Sequence, residues 1–137
     1  SSMMRTVFKK LVPVTKKTVL IIDDEEDFCH FVKLNLEETK YFEVLTAYNG
    51  PDGIDLAIRY QPDLILLDII MPNMTGTEVA EALRSNKATK DIPIIFLTAI
   101  VKRGEVGATE YQFGGNFFIF KPVKLDELIH EIGAKIR

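Results

Sequence analysis

Leu64-Ile65-Leu66-Leu67-Asp68, together with Thr18-Val19-Leu20-Ile21-Ile22-Asp23-Asp24 upstream, decides the fold. Each is an unbroken apolar run that stops at a carboxylate. Runs of this length mark strands buried on both faces, which occur where helices cover both sides of a parallel sheet. Working outward, Pro93 to Leu97 is a further run of the same kind, and Phe42 to Ala47 and Asn116 to Phe120 bring the count to five strands. Between the strands the apolar spacing turns helical. Phe28, Phe31, Val32 and Leu36 predict a helix over about 27–39, and Ile54, Ala57 and Ile58 continue one that begins near Asn49-Gly50-Pro51. Val79, Ala82 and Leu83 face inward from a helix over 76–85, and Leu125, Leu128, Ile129, Ile132 and Ile136 mark a closing amphipathic helix. A fourth helix is expected over Lys102 to Gly115, where four glycines and weak periodicity predict a short or frayed element. Strands alternating with helices imply an α/β sandwich built on a parallel sheet.

Composition limits the function classes. The 137 residues are 47% apolar and 27% charged, the balance of one globular domain with a core of its own. Cys29 is the only cysteine and there are two histidines, which excludes a disulfide framework and a structural zinc site. No apolar stretch is long enough to span a bilayer, so no membrane role is expected, and a lone thiol suits the cytoplasm. Net charge is −3, unevenly placed: Arg5, Lys9, Lys10, Lys16 and Lys17 make residues 1–17 a basic extension without acids. Residues 18–137 form the domain and hold 12 basic and 20 acidic side chains. Such an acidic body argues against direct nucleic-acid binding, which needs clustered Lys and Arg. The extension reads as solvated, with Ser1-Ser2 a cloning remnant ahead of Met3.

In doubly wound sheets ligands bind beyond the carboxyl ends of the strands. The strand ends here are Asp23-Asp24, Asp68, Thr98 and Lys121, so three carboxylates, a hydroxyl and an ammonium meet on one rim. Taken singly, each has an ordinary explanation, such as an acid favoured near a helix N-terminus or a surface lysine. Taken together, three carboxylates in close proximity repel one another unless a cation compensates. Oxygen ligands alone suit Mg²⁺ or Mn²⁺. A carboxylate can attack phosphorus to form an aspartyl phosphate, and Asp68, on the central strand, is the candidate acceptor. Asp23 and Asp24 would share the metal with Asp68, Thr98 would donate to a phosphoryl oxygen, and Lys121 would pair with another. Gly114-Gly115 precedes a strand instead of opening a helix, so it is no nucleotide phosphate loop and ATP is not the expected direct donor.

Asp23-Asp24-Glu25, Asp68-x-x-Met71-Pro72-x-x-x-Gly76, Thr98-Ala99 and Lys121-Pro122, in that order, resemble the receiver domain of two-component response regulators, from about Thr18 to Ile136. The resemblance implies a flavodoxin-like (βα)₅ sandwich with a five-stranded parallel sheet of order 2-1-3-4-5. It implies that Asp68 accepts a phosphoryl group from a histidine kinase or histidine phosphotransfer protein. It also implies a Mg²⁺ site of Asp23, Asp24, Asp68 and the Ile70 backbone carbonyl, a cis Lys121-Pro122 bond, and Thr98 and Phe118 as switch residues. The expected readout is a changed surface of fourth helix, fifth strand and fifth helix, offered to a downstream output domain or protein and open to homodimer formation. Such a domain is not an enzyme in the turnover sense, since it promotes only its own phosphorylation and dephosphorylation. Ile70 and Ile100 stand where the family often carries polar side chains, which predicts a long-lived phosphorylated state. The alternatives are a phosphate-independent binding module of the same fold and, further off, an aspartate-nucleophile Mg²⁺-dependent phosphatase. The first would have lost an acid, Thr98 or Lys121; the second needs Asp-x-Asp, whereas Asp68 is followed by Ile69-Ile70.

Overall fold

The computed structural model describes residues 15–99, 110–113 and 116–136. Its elements run β1 (Lys17–Ile22), α1 (Glu26–Glu38), β2 (Phe42–Ala47), α2 (Gly50–Tyr60), β3 (Leu64–Asp68), α3 (Gly76–Arg84), β4 (Ile94–Thr98), β5 (Glu110–Phe113), β6 (Asn116–Phe120) and α4 (Leu125–Lys135). The sheet order is β2-β1-β3-β4-β6-β5. All pairings are parallel except the last, so five parallel strands stand in the flavodoxin-like order and β3 is internal.

Alternation along the strands explains the layers. Val19 and Ile21 of β1, Leu64 and Leu66 of β3 and Ile95 and Leu97 of β4 point to one side, where they pack with Cys29, Val32 and Leu36 of α1 and Leu128 and Ile132 of α4. Leu20, Ile22, Ile65, Leu67, Ile94 and Phe96 point to the other, against Ala57 of α2 and Val79, Ala80 and Leu83 of α3. Continuous apolar runs are therefore required, because both parities of each strand are buried. Helix starts are locally specified: Asn49 Oδ1 accepts from the Asp52 amide at 2.9 Å, and Thr75 with Glu78 forms a capping box.

The expected fourth helix is corrected in part. Residues 100–109, 114 and 115 lie outside the described residues, but Glu110–Phe113 is a strand, antiparallel to β6, with Phe113 opposite Asn116 and Glu110 opposite Ile119. Two β-prone segments flanking Gly114-Gly115 carry a hairpin signal that outweighs the weak helical periodicity. The basic extension falls almost wholly outside the described residues. No helix among the described residues is long and apolar enough to cross a membrane.

Candidate functional site

β1 and β3 are hydrogen-bonded neighbours, so their carboxyl-terminal ends lie side by side and bring Asp23-Asp24 to Asp68. One carboxylate oxygen from each of Asp23, Asp24 and Asp68 lies within 4.8 Å of the others. Asp23 is fully buried, Asp68 is 5% exposed and Asp24 is open to solvent. Across the next pairing Asp68 stands opposite Leu97, which leaves Thr98, buried at the end of β4, one step beyond it. The Lys121 amide donates to the Thr98 carbonyl oxygen at 2.8 Å, and this bond carries the chain from β6 into the site. The Lys121–Pro122 peptide bond is cis.

The two buried acids are held by the backbone around them. Asp23 Oδ1 accepts from the Glu25 amide at 2.9 Å, and Asp68 Oδ1 accepts from the Ile70 amide at 3.3 Å. Ile70 is 60% exposed. The loop that follows β3 turns through Asn73 in the left-handed region, and the Gly76 amide donates to the Ile69 carbonyl oxygen at 2.8 Å. This return brings α3 so close that a Cβ on Gly76 would lie 2.2 Å from the Asp68 carbonyl oxygen.

Lys121 is the cation of the cluster. Its Nζ lies 2.8 Å from Asp23 Oδ2, 2.7 Å from Glu25 Oε1 and 3.8 Å from Asp68 Oδ2, and 4.5 Å from the centre of the Phe28 ring. The ammonium directs a hydrogen bond to Glu25 and forms a close ion pair with the buried Asp23 Oδ2. Burial acts to lower the Lys121 pKa, but the contacts with Asp23 and Glu25 and the nearby Asp68 outweigh it and raise the value above that of a free lysine. Asp68 is pushed up to about 7, first by burial and then by the Asp23 charge, with Lys121 and the Ile70 amide opposing. Burial, and next Asp23, pushes the Cys29 thiol up to about 12, so it behaves as a core residue.

The residues present fit a hard divalent cation. The donors are carboxylate oxygens from three acids, two of them buried, and among the described residues the one ammonium in contact with them, that of Lys121, does not neutralise all three. Phe118, on β6 opposite Phe96, stacks on that ring with centroids 5.3 Å apart and packs with the α2–α3 side of the core. Ile100 lies outside the described residues. Sequence reasoning gave no role to Glu25 or Phe28, both of which touch Lys121. The Asp-Asp-Glu run was a signal for Glu25, but its partner is 96 positions away, and only the strand order brings them together.

The family model for the response regulator receiver domain matches residues 19–133. The DNA-binding dual master transcriptional regulator RpaA of Synechocystis is 36% identical over 121 residues, which cover 87% of this chain and 48% of that protein. The response regulator ArlR of Staphylococcus saprophyticus is 36% identical over 120 residues, covering 87% and 52%. The chain thus spans about half the length of the curated relatives it matches. One of them is named as DNA-binding, so the expectation of no direct nucleic-acid contact gains no support from them. Among solved structures, the chemotaxis protein CheY4 of Vibrio cholerae superposes with a TM-score of 0.75 at 28% identity, covering 89% of this chain and all of that one. The receiver domain of the sensor histidine kinase PA1611 from Pseudomonas aeruginosa, solved with magnesium in its active-site cleft, shares the fold with a TM-score of 0.75 at 24% identity, covering 88% and 98%. By the extent of the family match and the arrangement of its strands, the chain belongs to the response regulator receiver domains of two-component signalling.

Proposed function

We propose that this domain is a phosphorylation-dependent switch whose acceptor is Asp68 and whose donor is a phosphohistidine on a histidine kinase or phosphotransfer protein. The observation that carries the reading is the carboxylate triad at the ends of β1 and β3, crowded within 4.8 Å with Lys121 alongside. An Asp68 carboxylate oxygen attacks phosphorus, the P–N bond breaks, and the imidazole leaves with the electron pair. Asp23, Asp24, Asp68 and the Ile70 carbonyl would hold Mg²⁺ or Mn²⁺, which when bound offsets the charge of acids and phosphoryl oxygens. Thr98 donates to one phosphoryl oxygen and Lys121 pairs with another. Movement of Thr98 and of the Phe118 ring then biases the domain between two packings, read on β6 and α4 by an output domain, an output protein or a second copy.

The setting is the cytoplasm, residues 18–137 are the switch, and residues 1–17 are a basic extension. The domain turns over no substrate beyond its own aspartyl phosphate. DNA binding is named for a relative about twice this length. The test is intact mass after incubation with acetyl phosphate and Mg²⁺: one phosphoryl group on the parent and none on Asp68→Asn. An unmodified parent, or a variant modified equally, refutes the reading.

A further inference from the structure

Lys121 is not aimed at the acceptor. Its ammonium is 2.7 Å from Glu25 Oε1 and 2.8 Å from Asp23 Oδ2 but 3.8 Å from Asp68 Oδ2, with the Phe28 ring beneath it at 4.5 Å. Asp23, Glu25 and Phe28 all come from the junction of β1 and α1, so a single short segment holds the cation away from the phosphoryl position, and Glu25 is the exposed, releasable part of that hold. Glu25 stands at the helix N-cap, yet its side chain caps nothing and reaches across to β6's end instead. That carboxylate is two-thirds exposed whereas the Lys121 side chain is 12% exposed. The pair is therefore weak enough to break and close enough to compete.

We infer that Glu25 is a positioning residue that restrains Lys121 in the unphosphorylated domain and releases it when a phosphoryl group arrives on Asp68. The inference rests on the reading of Asp68 as acceptor. The incoming group carries oxygens of higher charge than the Glu25 carboxylate, so the ammonium exchanges one anion for a stronger one. Glu25 then loses its partner, and the first turn of α1 reports the state of a residue on another strand. Until that exchange, the restraint slows phosphoryl uptake.

The test compares parent and Glu25→Gln in acetyl phosphate and Mg²⁺, following intact mass with time at low and high NaCl. The variant is expected to take up phosphoryl about two- to fivefold faster at low salt, the gain fitting a partly exposed ion pair. High salt screens that pair in the parent and shrinks the ratio towards one. In metal-free protein, the Lys121 ammonium protons are expected to be slow to exchange by nuclear magnetic resonance in the parent and fast in the variant. Equal or slower uptake by the variant, or identical ammonium signals, overturns the restraint while a phosphorylated parent leaves Asp68 as acceptor. A parent that takes up no phosphoryl group overturns both.

Discussion

Adding one methyl group at two glycines should have opposite consequences. A Cβ on Gly76 would lie 2.2 Å from the Asp68 carbonyl oxygen, 2.7 Å from Ile69 Cα and 2.9 Å from the Asp68 carbonyl carbon, all of them backbone atoms. An ordinary contact needs roughly 3.5 Å, so α3 would have to retreat by about 1 Å. That retreat breaks or stretches the 2.8 Å bond from the Gly76 amide to the Ile69 carbonyl. Overpacking costs about 1–3 kcal/mol and the lost bond about 1 more. Gly76→Ala should therefore destabilise the domain by about 3 kcal/mol and lower Tm by about 10 °C. Gly133, inside α4, has nothing within 4 Å of the same methyl, so Gly133→Ala should stabilise by about 0.5–1 kcal/mol. Urea unfolding followed by circular dichroism measures both, and Mg²⁺ titration of Gly76→Ala should show weakened binding, because the displaced backbone belongs to Asp68. A Gly76→Ala protein within 0.5 kcal/mol of the parent would refute the claim that this return packs tightly on the Asp68 backbone.

The pH dependence follows from Asp68, whose folded pKa of about 7 lies above its ordinary 3.8. A raised value means stability fully present below 3.8 and progressively lost as pH climbs through 7, so in EDTA the parent should be less stable than Asp68→Asn at pH 8, with the gap clearly smaller at pH 5 and closed only below 3.8. Thermal melts showing the same gap at both pH values would contradict this. Lys121→Met leaves the fully buried Asp23 beside other acids without its 2.8 Å cation, and should cost about 3 kcal/mol in EDTA. The same variant should bind Mg²⁺ more tightly than the parent, since repulsion between ammonium and metal is removed; weaker binding by calorimetry would count against the arrangement. The exposed Ile70 carries no polar side-chain atom to orient an attacking water, so under the proposed function the aspartyl phosphate should last minutes or more and Ile70→Asn should shorten its life. Rapid decay, unchanged by that substitution, would dispose of the idea.

The strand ends were readable because both parities of β1, β3 and β4 are buried, and an acid that closes such a run stands out. Strand order then followed from the resemblance, and with it the meeting of Asp23, Asp24 and Asp68. Pairings that depend on what side chains do after the strands are placed were not readable. Glu25 reaches Lys121 across β1 and β6, which are not neighbours, and nothing in local spacing encodes that. Glu110–Phe113 forms a strand where weak helical periodicity predicts a helix, because Gly114-Gly115 between β-prone segments carries the stronger hairpin signal. Gly76 was recognised as part of a motif, but the reason for it, contact with the Asp68 backbone, is a property of the packed loop.

The Asp23 carboxylate divides its two oxygens between unlike duties. Oδ1 accepts the Glu25 amide and so fixes where α1 begins, while Oδ2 faces the shared rim. The Cys29 thiol, one turn further on, leans on the carbonyl of the same residue at 3.4 Å. Any pull on Oδ2 is thus a torque on one rigid planar group, felt at the other end as a change in the grip on the helix's opening amides. Charge arriving at the rim and the amide that opens α1 therefore share one side chain, with no strand between them.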